Sequence, residues 1–431
     1  MSRPSIPSTR PTMLALVTVA AMSAGGCGKP SAGGGGWVVT RDTVGDTIVV
    51  HTLSGSVWGA PRRLVQEQSI GVFDGPDEYM FGGISGLAVD GDGNMYVYDR
   101  QVPVLRKYAP DGSFLMNLGR KGGGPGEYKN SDGGMAVLPD GRLALRDPGN
   151  ARIQLYTPGG EPAGSWRIRG GFFTGQRMVV DSTGGIYTDV LLDPKADVSD
   201  WRMGLVRYAD GEPGDTFPAP HYDYDAPRIE ARVNNHDGTS VSINNVPYSP
   251  HPFHAFSPLG YWVSGVSTDY VIDLLEPGGV VRIRKDWQPV AVTSGEKDNA
   301  EARATYNMRQ MKPDWKWNGP AIPDTKPPIS GVLVGADGRI WVQVPQPGVE
   351  IPGVPEVKAG EEPLQRWREP VAFDVFEPDG TYLGRVNAPD GFRRYPNPIF
   401  RDDHVWAITR DSLDVEYVVR FRLSAPLAPK G

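Results

Sequence analysis

Apolar and polar positions alternate along residues 82–128, with Leu87 and Val89 followed by Met95 and Val97. Two further short apolar runs follow at Val104–Tyr108 and Phe114–Leu118. Turn residues fill the gaps, at Asp90–Gly93, Gln101–Pro103 and Pro110–Gly112. Period-two alternation broken by Asp-Gly turns predicts antiparallel strands joined by tight hairpins. Four strands, a to d, in about 40 residues is the size of one propeller blade.

The unit recurs. A second copy carries turns at Pro139–Gly141 and Pro158–Gly160, a third at Gly184–Gly185 and Asp210–Gly211, and a fourth at Pro258–Gly260 and Pro277–Gly279. A fifth has Asp337–Gly338 and Pro378–Gly380. The sixth spans Ile399–Leu423, has Asp402-Asp403 where a turn Gly would stand, and ends after three strands. Arg62–Ile70 reads as a d-type strand with no blade of its own. Pairing it with the strand holding Phe421 closes a ring and removes the open edge. The predicted fold is therefore all-β: a six-bladed propeller of four-stranded antiparallel blades, closed by an N-terminal strand and carrying one short helix in an insertion.

That helix is predicted over Gly295–Met311. Thr293 and Glu296 form a capping-box pattern ahead of Ala300, Ala304, Met308 and Met311 at helical spacing. The two ends of the ring differ. Every short Gly turn lies at an a–b or c–d position. The long segments are b–c loops (Leu191–Trp201, Pro345–Pro370) or d–a connections (Glu212–Pro252, read as polar and loop-rich, and Trp287–Pro328). One face is clipped and the other elaborated, and function is expected on the elaborated one.

Composition narrows the class. The chain has 431 residues, 39% of them hydrophobic, and a formal charge of −7. An acidic balance argues against a nucleic-acid partner. Arg3 and Arg10 precede an apolar run, Met13–Met22, and small residues lead to Cys27, the one cysteine in the sequence. This order reads as an export signal. With no second cysteine, no intramolecular disulfide is available to the folded part. The expected organisation is a signal peptide over 1–27, a flexible tether over 28–36 and an N-terminal β-hairpin over 37–60, packed on the propeller. The propeller follows over 61–424 and a tail over 425–431.

Candidate chemistry is sparse. Asp90–Asn94 begins like a calcium loop, but Met95 and Gln101 stand where Gly and a bidentate Glu are needed. Gly122–Gly126 lacks the Lys-Ser/Thr of a phosphate loop. His251 and His254 flank Pro252 with no acidic partner placed, so no zinc set is formed. No catalytic residue, metal ligand or cofactor is assigned. Asp99, Asp147 and Asp189 follow the b strands of three successive blades, with Arg100, Asn150 and Arg152 in the same loops. Trp201, Trp315, Trp317 and Trp367 lie in the insertions, where Trp and Arg serve as interface anchors or pin loops to the body. Tyr108, Tyr156, Tyr208, Phe376 and Phe421 recur in the c strands and read as packing between blades.

These pieces carry a resemblance. Arg41–Val50, Ile84–Asp99, Gly119–Tyr128 and Asp147–Tyr156 look like segments of six-bladed NHL-type and TolB-like propellers. More closely, they resemble uncharacterised bacterial six-bladed propeller lipoproteins. The Cys27 region resembles a lipobox, with Ala24 where Leu is usual, which implies acylation at Cys27. The resemblance specifies architecture and no reaction; with the export signal and the Trp and Arg of the insertions, the expected role is an exported, lipid-anchored, non-catalytic binding or scaffold module of the cell envelope. A protein, peptide or glycan would be contacted by the elaborated face, with Asp99, Arg100, Asp147, Asn150, Arg152, Trp201 and Trp367 as binding candidates. The alternative, motivated by the recurring Asp99, Asp147 and Asp189, is a lactonase-like, metal-dependent hydrolase or lyase at the channel mouth.

Overall fold

The computed structural model describes residues 31–32, 36–168, 178–196, 201–236, 238–358 and 360–425. Six four-stranded units follow one another. Blade one is Ile84–Val89, Met95–Asp99, Val104–Tyr108 and Phe114–Leu118, each strand antiparallel to the next. Blades two and three run Met135–Arg167 and Met178–Pro218. Blade four runs Pro252–Lys285 and blade five Gly331–Asn387. Blade six takes Ile399–Arg401, His404–Arg410 and Glu416–Leu423, and its fourth strand is Arg62–Ile70.

The ring closes as the pattern predicts. Val418 pairs with Ile70 and Leu423 with Leu64, antiparallel. The first strand of blade one contacts those of blades two and six, and blade four's contacts blade five's. The closing strand does more than fill a gap. Arg62 and Arg63 also pair, parallel, with Val386 and Asn387 of blade five, which joins blades five and six into one sheet.

The recurrent c-strand aromatics explain how blades adhere. Tyr108, Tyr156, Tyr208 and Phe376 are fully buried, and Phe421 nearly so. Each sits in a cluster with residues of the preceding blade: Tyr108 with Trp406 and Ile408, Tyr156 with Tyr96 and Tyr98, Phe421 with Phe373. Burying each such ring contributes about 1.5–3 kcal/mol. Blade four has Leu275 at this position, opposite Trp262. The seam between blades three and four is filled instead by Tyr187, Phe217, Phe256 and Trp262, with Tyr187 and Phe256 ring centroids 4.6 Å apart.

Two local features differ from the pattern-based reading, and a third adds detail to it. Glu212–Pro218, read as the start of a loop, is the outer strand of blade three. Its residues are mostly exposed, and Pro213 and Gly214 interrupt any alternation, as an edge strand permits. Arg228–Asn235 and Gly238–Asn245, in the same supposed loop, form a β-hairpin. The N-terminal hairpin, Val38–Val44 and Thr47–Ser54, extends blade four: Thr47–Thr52 lies parallel to Val280–Lys285. In the sixth blade, Asp402 takes the left-handed conformation at φ 52°, which Asp tolerates and which replaces the missing Gly.

The helix, α1, spans Ser294–Met311. Its box is complete: the Glu296 amide donates to the Thr293 hydroxyl at 3.2 Å, and the Thr293 amide donates to the Glu296 carboxylate at 2.9 Å. Among the described residues no helix is long and apolar enough to cross a membrane.

Candidate functional site

The recurring aspartates organise loops. Asp99, with no solvent exposure, accepts the amides of Gly82 at 2.7 Å and Gly83 at 3.1 Å, and also those of Gln101 and Val102. Asp147, equally buried, accepts the amides of Lys129 and Asn130, both at 3.1 Å. Each carboxylate ties the b–c turn to the connection that enters its own blade. Asp189 lies within its strand, which runs on to Leu191, and the connection entering its blade falls outside the described residues.

Asn150 and Arg152 meet on the Gly-rich segment. Asn150 donates to Asp147 at 2.6 Å and to the Gly122 carbonyl at 3.0 Å. Arg152 donates to the Gly124 and Glu127 carbonyls, both at 2.7 Å. Gly122 and Gly124 spend their amides on the Tyr128 carbonyl and the Glu127 carboxylate. Asp147, Asn150 and Arg152 are thus brought together to hold a connection. Asp99 and the exposed Arg100 stand apart in blade one, and Trp201 donates to the Ala196 carbonyl of its own loop at 3.1 Å. Asp90 accepts its turn's amides at Asp92 and Asn94. His251 binds the Ser249 carbonyl, and the His254 ring meets Trp262 edge-on. Among the described residues no group of three or more His, Cys, Asp or Glu is placed to hold a metal ion; Cys27 lies outside them.

Trp367 belongs to a different arrangement. Three insertions of the elaborated face enclose a cleft of about 380 Å³. One wall is α1, presenting Asn299, Ala300, Arg303, Ala304 and Asn307 along one face. The opposite wall is the 228–245 hairpin with Ile229, Asn244, Asn245 and the following Tyr248. The b–c insertion of blade five supplies Gln365 and Trp367. Its ends are drawn together by a short ladder, Val349–Glu350 against Trp367–Arg368.

The insertions are pinned to one another. Trp315 is buried and donates to the Glu230 carbonyl at 2.7 Å, which locks the segment after α1 to the hairpin. Asn299 donates to the Leu364 carbonyl at 2.9 Å and accepts the Arg366 amide at 3.0 Å. The Trp367 indole lies on the first turn of α1, where a Cβ on Gly295 would come within 2.8 Å of its ring. Beneath the cleft, the Lys326 ammonium meets the carboxylates of Glu296 and Glu369, each at 2.8 Å, and the Gln346 carbonyl. Burial works to raise the Glu296 carboxyl, but Lys326 and the Thr293 donors outweigh it and hold it below the ordinary range. The Lys326 ammonium is likewise pushed down by burial and carried above its ordinary value by the two glutamates.

The cleft surface therefore offers five carboxamides, one guanidinium and two aromatic rings, over a floor whose charges are mutually satisfied. Of these, sequence reasoning singled out Trp367. Carboxamides scattered over three insertions carry no spacing that a linear pattern would reveal.

Neither a protein-family model nor a curated protein sequence matches the chain. Among solved structures it is similar to a member of the DUF4221 family from Bacteroides vulgatus, at 11% identity and a TM-score of 0.48, over 85% of this chain and 98% of that one. It is similar to a candidate exported protein from Bacteroides fragilis, at 12% identity and a TM-score of 0.44, over 88% and 99%. A streptogramin B lyase aligns at 11% identity and a TM-score of 0.36, over 84% and 98%.

Proposed function

We propose that this six-bladed propeller is an exported, lipid-anchored and non-catalytic binding module of the cell envelope, of the NHL/TolB-like kind, and that the cleft beside α1 takes a glycan chain. The carrying observation is the meeting of Asn244, Asn245, Asn299, Asn307 and Gln365 with Trp367 and Tyr248 in one groove built from insertions. Planar carboxamides donate and accept at once, which suits vicinal hydroxyls. A Trp or Tyr face offers flat apolar area to the C–H side of a sugar ring while its polar edge stays hydrated. A groove of this volume, on a rigid scaffold and with few charges, fits a short oligosaccharide. Ser31–Ala32 pairs with Val38–Val39 rather than hanging free as a tether, so acylation at Cys27 would hold the module close to a membrane surface.

Calorimetric titration of the purified chain with chito-, manno- and cello-oligosaccharides and peptidoglycan fragments tests the reading. At least one series is expected to saturate, with affinity falling tenfold or more in Trp367→Ala and in Asn307→Ala. A protein that binds none of the series, or a Trp367→Ala variant that binds as well as the parent, ends the glycan reading. Retention of a peptide series instead would reassign the cleft to peptides.

A further inference from the structure

A second, larger cavity of about 610 Å³ opens on the same face, between blades four and five and beneath the N-terminal hairpin. Lys326 and its glutamates lie between it and the α1 cleft: Lys326 bonds Gln346, which lines this cavity, while Glu296 lines the other. Its upper walls are apolar and stiff, made by Trp287 with Pro289, Pro328, Pro345 and Pro347. Its inner end is charged.

There Asp374, fully buried in the c strand of blade five, gathers four donors. Tyr382 donates at 2.8 Å and Tyr270 at 2.9 Å. Arg385 donates through Nε at 2.9 Å and Nη2 at 3.3 Å. The Lys285 ammonium stands 3.4 Å from the same carboxylate, flanked by the Tyr270 and Tyr382 rings at 5.0 and 5.1 Å from their centroids. Two cations thus face one carboxylate. Asp286 stands at the rim, 61% exposed, and is engaged by His51 at 2.8 Å.

Neither cation is saturated. The ammonium has three N–H donors, and its contacts are to Asp374 and to the Asp286 carbonyl, both at the long distance of 3.4 Å. Arg385 spends Nε and Nη2 on Asp374, which leaves Nη1 to donate. Two cations against one buried carboxylate leave a positive excess at the inner end of the pocket, with Lys285 largely buried and Arg385 part-exposed. Burying a charge is costly unless it is paired, and an incoming anion completes the pairing.

We infer that this cavity is a binding site for a small organic carboxylate with a flat apolar body. The carboxylate sits between Lys285 Nζ and Arg385 Nη1, and the body lies against Trp287 and the prolines. Aromatic and proline walls favour a planar group, and the enclosed size fits a molecule of one or two rings. This site is independent of the glycan reading, because the two cavities share no lining residue.

The test titrates the purified chain with benzoate, indole-3-acetate and phenylacetate, each beside its neutral amide, by calorimetry and ligand-observed NMR. At least one acid is expected to saturate at one per chain and bind at least tenfold more tightly than its amide. Lys285→Met, which keeps the stem and removes the charge, is expected to abolish that difference while Trp367→Ala leaves it intact. The inference is overturned if no acid saturates, if acid and amide bind alike, or if folded Lys285→Met retains the parent's preference. Should Lys285→Met fail to fold, the acid–amide comparison on the parent still decides.

Discussion

A carboxylate with no access to water answers four backbone amides at Asp99. Replacing it by Ala would leave those amides without their acceptor; three belong to exposed residues that water can reach, so the cost is that of one or two donors left dry, at about 1–3 kcal/mol each. Asp99→Ala is expected to lower the urea-unfolding free energy by about 3 kcal/mol, read at equilibrium, with acid binding in the cavity between blades four and five unchanged. The pH response belongs to Glu296. Its carboxyl is held below the ordinary range in the fold, so it binds a proton less readily there than in the unfolded chain. Its contribution is present above about pH 4.3 and is lost as pH falls through the lower folded value. Removing the cation in Lys326→Met leaves the buried Glu296 with its Thr293 donors but no counter-charge, beside a part-exposed Glu369, and is expected to cost about 3 kcal/mol at pH 7. Burial alone raises a carboxyl, so protonation then relieves the variant, and its deficit should shrink between pH 7 and pH 4 in parallel chemical-denaturation series. At this scale the sequence was readable where a residue acts within its own turn. Thr293 and Glu296 declare their box three residues apart, and Pro-Asp-Gly runs declare their turns. Lys326 and Asn244 gave no such sign, because what they do depends on segments 30 or more positions away, as Lys326 shows with Glu296.

The N-terminal hairpin shows what alternation leaves undetermined. Thr47–Ser54 reads plainly as a strand, yet nothing in its pattern says that it lies parallel to the fourth strand of blade four. That pairing covers Val281 and Ile283 and buries Trp37, Val39 and Val50 in the same cluster. A chain beginning at Ala60 would keep every strand of the ring and uncover this edge. It is expected to unfold at lower urea than the full chain and to sediment as larger species at equal concentration, since an unpaired apolar edge recruits other strands. Equal sedimentation and equal midpoints would show the hairpin to be an ornament. Glu212–Pro218 failed to register for the opposite reason: an outer strand that buries little needs no alternation, so its Gly and Pro looked like loop. The 228–245 hairpin was hidden in the same way, and with it one wall of the α1 cleft.

For the molecule as a whole, the repeat of turns and c-strand aromatics was enough to count six blades and to name the strand that closes the ring. It could not supply the sites. Both cavities are made where insertions from different blades meet, and those meetings are set by tertiary packing rather than by any local rule. The closing strand has one more implication, in the order in which the chain is made. Arg62–Ile70 is among the first folded segments to emerge from a ribosome or an export channel, and its partners at 386–387 and 418–423 are among the last. The hairpin at 38–54 waits for residues 280–285, about two thirds as long. Nearly the whole polypeptide must therefore be delivered before its beginning finds a neighbour, and throughout that delay the early strands stay open to the wrong companions. A cell that makes this protein has reason to shelter residues 38–70 until the strand at 416–423 arrives.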